Sequence, residues 1–387
     1  MACARLGVRQ RGTDPLVRLA EAGGVPDALV RLGIRQLIRR RLRQEGAGEG
    51  QQFARATGRR ARRGARLAAR QRHMLRQLER GPIAEHTAAA NAQHYDTPPA
   101  FFGQVLGPRM KYSACLWPAG TTTLAQAEER MLELYAERAG LADGMRVLDL
   151  GCGWGSFALW LAERHPASRI VAVSNSTEQR GYIAATAAAA GLDNVEARTA
   201  DVNDFMPDER FDRIVSVEMF EHMRNYAELL RRISSWLVAD GALFVHIFCH
   251  RSLAYPFEAD GSGDWMARHF FTGGIMPARD TLARFQEHMR LTRTWEVSGS
   301  HYRRTARAWL DNLDRNREAA GKALSVALPA SAEQGEACIP LQRWRMFFMA
   351  CEELFGFNGG SEWLVCHYRF QPRPIANGLQ GGVQPLS

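Results

Sequence analysis

An α/β fold, a mostly parallel sheet with helices on both faces, is predicted by two features of the sequence. The first is alternation. Between residues 145 and 250, short apolar runs rich in Val and Ile alternate with segments of helical period, the pattern of strand–helix–strand units. The second is the stretch VLDLGCGWGS (147–156), which runs from an apolar strand through a glycine-rich turn into a helix start.

The elements follow in order. Residues 1–30 are punctuated by Gly and Pro and read as loosely ordered. VRLGIRQLIRRRLRQ (30–44) repeats apolar residues at helical spacing with arginines between them, so an amphipathic helix is expected. GAGEG (46–50) separates it from a second basic helix at about 58–80. HYDTPPAFF (94–102) reads as a turn and a helix start. TTTLAQAEERMLELYAERAG (121–140) is a capped helix, with Thr before the periodic run and Gly at its end. After the glycine-rich turn, SFALWLAERH is helix, RIVAVSN strand, STEQRGYIAATAAAAGL helix, and VEARTAD and FDRIVSVEMF strands. MRNYAELLRRISSWLVADG is helix, ALFVHIFCH strand, and WLVCHYRFQ (363–371) a last strand. The expected organisation is an Arg-rich helical region over 1–82, one large domain over 83–374 and a flexible tail over 375–387.

The chain has 387 residues, 46% hydrophobic and 24% charged, enough for a sizeable core. No apolar run reaches the ~18 residues of a membrane span. The seven cysteines form no CxxC pair and follow no signal peptide, so reduced thiols and a cytoplasmic location are expected. No metal site is expected. The net charge of +9 is uneven, because residues 1–80 hold 20 arginines against six acidic residues. That arm is either a solvated helical lobe or a contact for an anionic membrane surface. Nucleic acid is not among the expected partners; a homodimer is an open expectation.

Gly151, Gly153 and Gly155 let the backbone pass close to a ligand at a helix N-terminus. The G-x-G-x-G spacing, with Asp149 on the strand, fits S-adenosylmethionine better than a dinucleotide, whose pyrophosphate has different needs. The second strand ends in Ser174–Asn175, followed by Gln179, where a ribose-binding acid would stand, so neutral hydrogen bonding has to substitute. Asp201, after the third strand, is placed to accept from an adenine amino group. Each of these residues is also a common turn former.

VEMFEHMRNY (217–226) sets Glu218, Glu221 and His222 at i, i+3 and i+4, one face of a helix. Such a trio is either an acid/base cluster or the cap of an ordinary helix. The aromatic-rich LQRWRMFFMACEELFGFN (341–358) is either core or substrate wall.

HYDTPPAFF, KYSACLW (111–117), VLDLGCGWGSFALWLA, SNSTEQ, FEHMRNY and HYRRT (301–305) together resemble the cyclopropane-fatty-acyl-phospholipid synthase superfamily of methyltransferases. Within it, FVHIFCHRSLAYPFE and DWMARHFFTGG point towards the coclaurine-type N-methyltransferases. The resemblance implies a class I, Rossmann-like sheet of seven strands and S-adenosylmethionine as cofactor. It implies that Tyr95, Tyr112, Ser113, Gly151, Gly153, Asn175, Gln179, Asp201 and Val202 line that cofactor. In the lipid-modifying branch a bicarbonate ion is held by a Cys, a Glu, a His and a Tyr. Glu221, His246 and Tyr302 occupy three of those places, but Cys115 stands one residue late, after Ala114. In the N-methyltransferase branch the equivalents of Glu218, Glu221 and His222 line an amine pocket. The lipid enzymes usually carry a small residue in place of Glu218. The expected activity is therefore N-methylation of a small, aromatic or cyclic amine, with Glu218, Glu221 and His222 binding and deprotonating it. The alternative is methylene or methyl transfer to an unsaturated phospholipid acyl chain, with the basic arm on the membrane. A cofactor-binding protein without catalysis is disfavoured by the retained polar trio. DWMARHFFTGG (264–274) is expected to cover the pocket.

Overall fold

The computed structural model describes residues 15–45, 72–85, 97–257, 265–326 and 338–373. Five parallel strands, β1 (Arg146–Leu150), β2 (Arg169–Ser174), β3 (Val195–Thr199), β4 (Phe211–Val217) and β5 (Leu237–His250), form most of one sheet. A two-stranded pair, β6 (Tyr255–Pro256) and β7 (Ile275–Met276), lies apart. β8 (Met289–Val297) and β9 (Trp363–Pro372) complete the large sheet in the order β3-β2-β1-β4-β5-β9-β8. β9 runs antiparallel to both β5 and β8. The strand order reverses between the parallel neighbours β1 and β4, and ligands of open α/β sheets sit at that point, beyond the carboxyl ends of the strands.

The helices, in chain order, begin with α1 (Pro15–Glu21), α2 (Asp27–Glu45) and α3 (Pro99–Val105). α4 (Leu124–Ala139) has the predicted ends: Thr123 and Gln126 form a capping box, and Gly140 closes it at φ 69°. α5 (Ser156–Arg164), α6 (Thr177–Ala190) and α7 (Tyr226–Trp236) link the parallel strands. α8 (Trp265–His269), α9 (Gly299–Arg315), α10 (Arg317–Ser325) and α11 (Cys338–Phe355) follow, and α8, α9 and α11 contribute side chains to the cleft.

The N-terminal stretch differs from its expectation. Residues 15–21 are helical, and α2 starts at Asp27. Val30, Ile38 and Leu42 of α2 are buried in the same apolar cluster as α11. Arg31 pairs with Glu352 and Glu353, at 2.8 and 3.0 Å, and Arg345 of α11 pairs with Asp27. Part of the basic surplus is thus matched by acids of the large domain. Of the second basic helix, the described part is the helical stretch 72–77. The segment LVADG, expected to end a helix, instead opens β5.

Candidate active site

A cleft with a glycine-rich floor is built from strand ends. Gly151, Gly153 and Gly155 have φ of 81°, 53° and 79°, the left-handed region that a β-carbon disfavours. A Cβ on Gly151 would lie 2.8 Å from Met219, while one on Gly153 would meet nothing within 4 Å, because that backbone faces open space. One hollow is lined by Gly151, Gly153, Asn175, Gln179, Asp201 and Val202. A second, adjoining hollow shares Gly151, Gly153, Gln179 and His222 with it and adds Tyr112, Ser113, Asp149 and Glu218. Gln179 is held in place by Ser174, whose hydroxyl donates to its Oε1 at 2.6 Å. Asp201 also accepts from the backbone of Asn203, at 2.8 Å, so it shapes its turn as well as facing the hollow. Tyr95 lies outside the described residues.

The second hollow deepens into an aromatic chamber walled by Phe248, Phe257, Phe271, Tyr302, Phe347 and Phe355. The alternatives for α11 are both realised. Trp344 and Phe348 pack in the core, whereas Phe347, Cys351 and Phe355 line the chamber. Met266 and Phe271, from the DWMARHFFTGG segment, also line it.

The trio at 217–226 does not share a helix face. Glu218 directly follows β4 with φ 47°, uncommon for a residue with a side chain. Phe220–His222 is a single 3-10 turn. The turn separates the three side chains. Glu218 and His222 face the chamber. Glu221 is buried, its Oε1 accepts from the Phe248 amide at 2.8 Å, and it is not among the residues lining either hollow. Its Oε2 has no hydrogen-bond partner among the described residues. Burial, reinforced by the charge of Glu218, pushes its carboxyl well above the usual range. His222 stacks near Phe271, with ring centres 4.6 Å apart.

Glu218 is the hub. Its Oε1 accepts from the Ala114 amide at 2.9 Å and sits 3.0 Å from His246 Nε2. Its Oε2 accepts from the Tyr302 hydroxyl at 2.8 Å. Burial pushes its carboxyl up, against the Ala114 amide, the nearby Lys111 and the Tyr302 hydroxyl, which favour the ionised form. Cys115 takes no part. Its thiol contacts Ser113 O at 3.6 Å, its amide donates to Thr305, and it packs with Trp117 and Ala127. Burial pushes that thiol up to about 12.

A family model described as mycolic acid cyclopropane synthetase matches residues 84–359. The chain belongs to this family. It is 38% identical to the (S)-coclaurine N-methyltransferase of Thalictrum flavum subsp. glaucum over 303 residues, 78% of this chain and 82% of that protein. Over 223 residues it is 31% identical to the cyclopropane-fatty-acyl-phospholipid synthase of Escherichia coli (strain K12), 57% of this chain and 55% of that one. The crystal structure of coclaurine N-methyltransferase bound to N-methylheliamine and SAH superposes with a TM-score of 0.82 at 33% identity, covering 92% of this chain and 98% of that one.

This family member is an S-adenosylmethionine-dependent methyltransferase. Its cleft fits that cofactor. The open face of Gly153 leaves room where any other residue would project a side chain. Asp149 Oδ2 is buried in the cleft wall without a hydrogen-bond partner among the described residues, and burial raises the carboxyl to about 7. An ammonium group is the donor such an oxygen lacks.

Sequence reasoning missed the polar groups behind Glu218: Lys111, Tyr135, Arg138 and His367. Lys111 lies in the KYSACLW motif and is buried, its Nζ donating to Ser113, Ala114 O and Tyr135. His367 sits in an apolar strand 121 residues from its partner His246, and no local pattern marks it.

Proposed function

We propose that this methyltransferase N-methylates a small amine with an aromatic or cyclic body. One observation carries the reading: the donor set made by the Ala114 amide, His246 and Tyr302 is filled by a carboxylate of the chain itself, Glu218. The resemblance assigned two of those side chains, with Cys115, to an external bicarbonate. A built-in anion directed into an aromatic chamber suits a cationic or basic acceptor, since rings favour cations and apolar bodies alike. The 38% identity to a coclaurine N-methyltransferase supports the same reading.

The cofactor supplies an electrophilic methyl group on a sulfonium. Gly151, Gly153, Asn175, Gln179, Asp201 and Val202 would hold it, with Tyr112, Ser113 and Asp149 at its other end. Glu218 attracts the acceptor's ammonium and orients its nitrogen. An amine must also lose a proton before its lone pair is free. A carboxylate whose proton affinity is raised by burial is better matched to that task than an exposed one. His222, on the chamber wall, passes the proton onwards. Glu221 fixes the β5 edge through Phe248 and so positions the wall. Much of the gain is positional, because α8, α9 and α11 exclude water and hold the acceptor in line.

The basic N-terminal helices would rest on anionic membrane. α1 and α2 leave Leu16, Leu19, Leu29, Leu32 and Leu37 exposed among arginines, which supports a peripheral contact. No helix among the described residues is long and apolar enough to cross a membrane.

The test is mass spectrometry after incubation with the methyl donor and either a panel of secondary and tertiary amines or vesicles of unsaturated phospholipid. A mass gain of one methylene on an amine is expected. A gain confined to the phospholipid, abolished by removing bicarbonate, would overturn the reading.

A further inference from the structure

The hydrogen bonds behind Glu218 continue past His246. In the antiparallel pairing of β5 and β9, His246 lies opposite His367, and their rings are 4.8 Å apart. His367 Nε2 is 2.9 Å from His246 Nδ1. On the far side, His367 Nδ1 is 2.7 Å from Arg138 Nη1, near the end of α4. Both imidazoles are fully buried, and Arg138 is half-buried with its guanidinium 5.1 Å over the ring of Trp295.

Donor logic fixes the protons along this line. A guanidinium has hydrogens to give and no lone pair to receive with, so His367 Nδ1 must accept. Its one proton then sits on Nε2 and points at His246 Nδ1. That nitrogen must accept in turn, which leaves the His246 proton on Nε2, 3.0 Å from Glu218 Oε1. The Tyr135 hydroxyl reaches the same Nδ1 at 2.9 Å, with Lys111 Nζ 3.0 Å from its oxygen. A phenol hydroxyl both donates and accepts, so Tyr135 fits either His246 tautomer and leaves the choice to His367. The other neutral tautomer of His246 would present a bare Nε2 to the carboxylate, and the contact would be repulsive.

We propose that Arg138 and His367 are positioning residues that hold His246 in the Nε2–H tautomer, keeping Glu218 an oriented hydrogen-bond acceptor facing the chamber. The proposal rests on the reading of Glu218 as the amine anchor. It assigns a role to two residues that touch neither cofactor nor acceptor. It also explains why an apolar strand pair buries two imidazoles side by side: each needs the other as a partner.

Histidine ring nitrogens report their own protonation, so the tautomer is read directly. The full chain, labelled with 15N in its histidine rings, is examined by long-range 1H–15N spectra without cofactor or acceptor. His246 is assigned by its loss in His246→Gln. In the wild type, His246 is expected to show a protonated Nε2 and a bare Nδ1. Arg138→Met keeps the stem over Trp295 and removes the donor. A second His246 tautomer should then appear, with kcat for the amine identified by mass spectrometry falling ~10-fold or more, as for a lost hydrogen bond to a charged group. Arg138→Lys, which again only donates, should restore the single tautomer and most of kcat. A wild-type His246 protonated on Nδ1 would overturn the proposal. So would an Arg138→Met enzyme that keeps one tautomer and its kcat while merely melting lower. Because the spectra need no acceptor, failure of the amine reading leaves a different trace: normal tautomers with no amine methylation at all.

Discussion

The Tyr302 hydroxyl donates to Glu218 Oε2 over 2.8 Å, tying α9 to the end of β4. The same ring stacks on Phe355 with centres 4.1 Å apart, so Tyr302→Phe should keep the packing and lose only the donor. A donor to a carboxylate favours its ionised form; removing it raises the group's pKa. The acid limb of the kcat/KM profile should therefore move to higher pH, and kcat should fall ~10-fold. Steady-state rates across pH, with Lys111 and Glu221 as the neighbouring titratable groups, check both effects.

His222 stands on the chamber wall against Phe271. His222→Ala should lower kcat by ~10²-fold or more, the usual cost of losing a proton-transfer group. Titration calorimetry should find S-adenosylmethionine affinity within a few-fold of wild type. An undiminished kcat would remove His222 from the proton path.

Glu221 separates charge from shape. Its carboxyl is pushed well above the usual range by burial and by Glu218, which favours the neutral acid. Glu221→Gln, which mimics the neutral acid, should retain most activity. Glu221→Ala leaves the Phe248 amide buried without its acceptor and should destabilise the fold by about 1–3 kcal/mol. Denaturant melts and rates on both variants test this pair of expectations.

Asp149 gives the cofactor-free protein a pH-dependent stability. Its folded-state pKa is about 7, above the unfolded value near ~3.9. The folded protein therefore binds the extra proton between those two values, and stability falls as pH rises from ~4 to ~7. Asp149→Asn should flatten that decline in thermal melts of the cofactor-free enzyme, and it should weaken S-adenosylmethionine binding.

The sheet and the cradle were legible because both are local signals. The glycines of 151–155 permit the positive φ that their tight turn requires, and alternation of strands and helices is read within short windows. β8 was not anticipated. Its residues carry charges on a strand that lies at the sheet edge, with exposed Arg290, Arg293 and Thr294, so little apolar pattern remains. Helical spacing misled at Glu218–His222, because a positive φ at Glu218 breaks the helix that i, i+3, i+4 assumes. The displaced Cys115 packs with Trp117 and Ala127 rather than lining the chamber, as one inserted residue reverses side-chain direction on extended backbone. The His246–His367–Arg138 line was illegible for another reason. It is made by strand pairing across β5 and β9 and by the end of α4, which only the tertiary fold brings together.

The central claim is that the Glu218 carboxylate anchors a cationic acceptor in place of an external anion. Glu218→Gln tests it most directly, because the amide keeps size and shape and removes the charge. With the amine identified by mass spectrometry, kcat/KM should fall ~10²–10⁴-fold while the S-adenosylmethionine dissociation constant holds. A Glu218→Gln enzyme with wild-type kcat/KM for that amine would contradict the account.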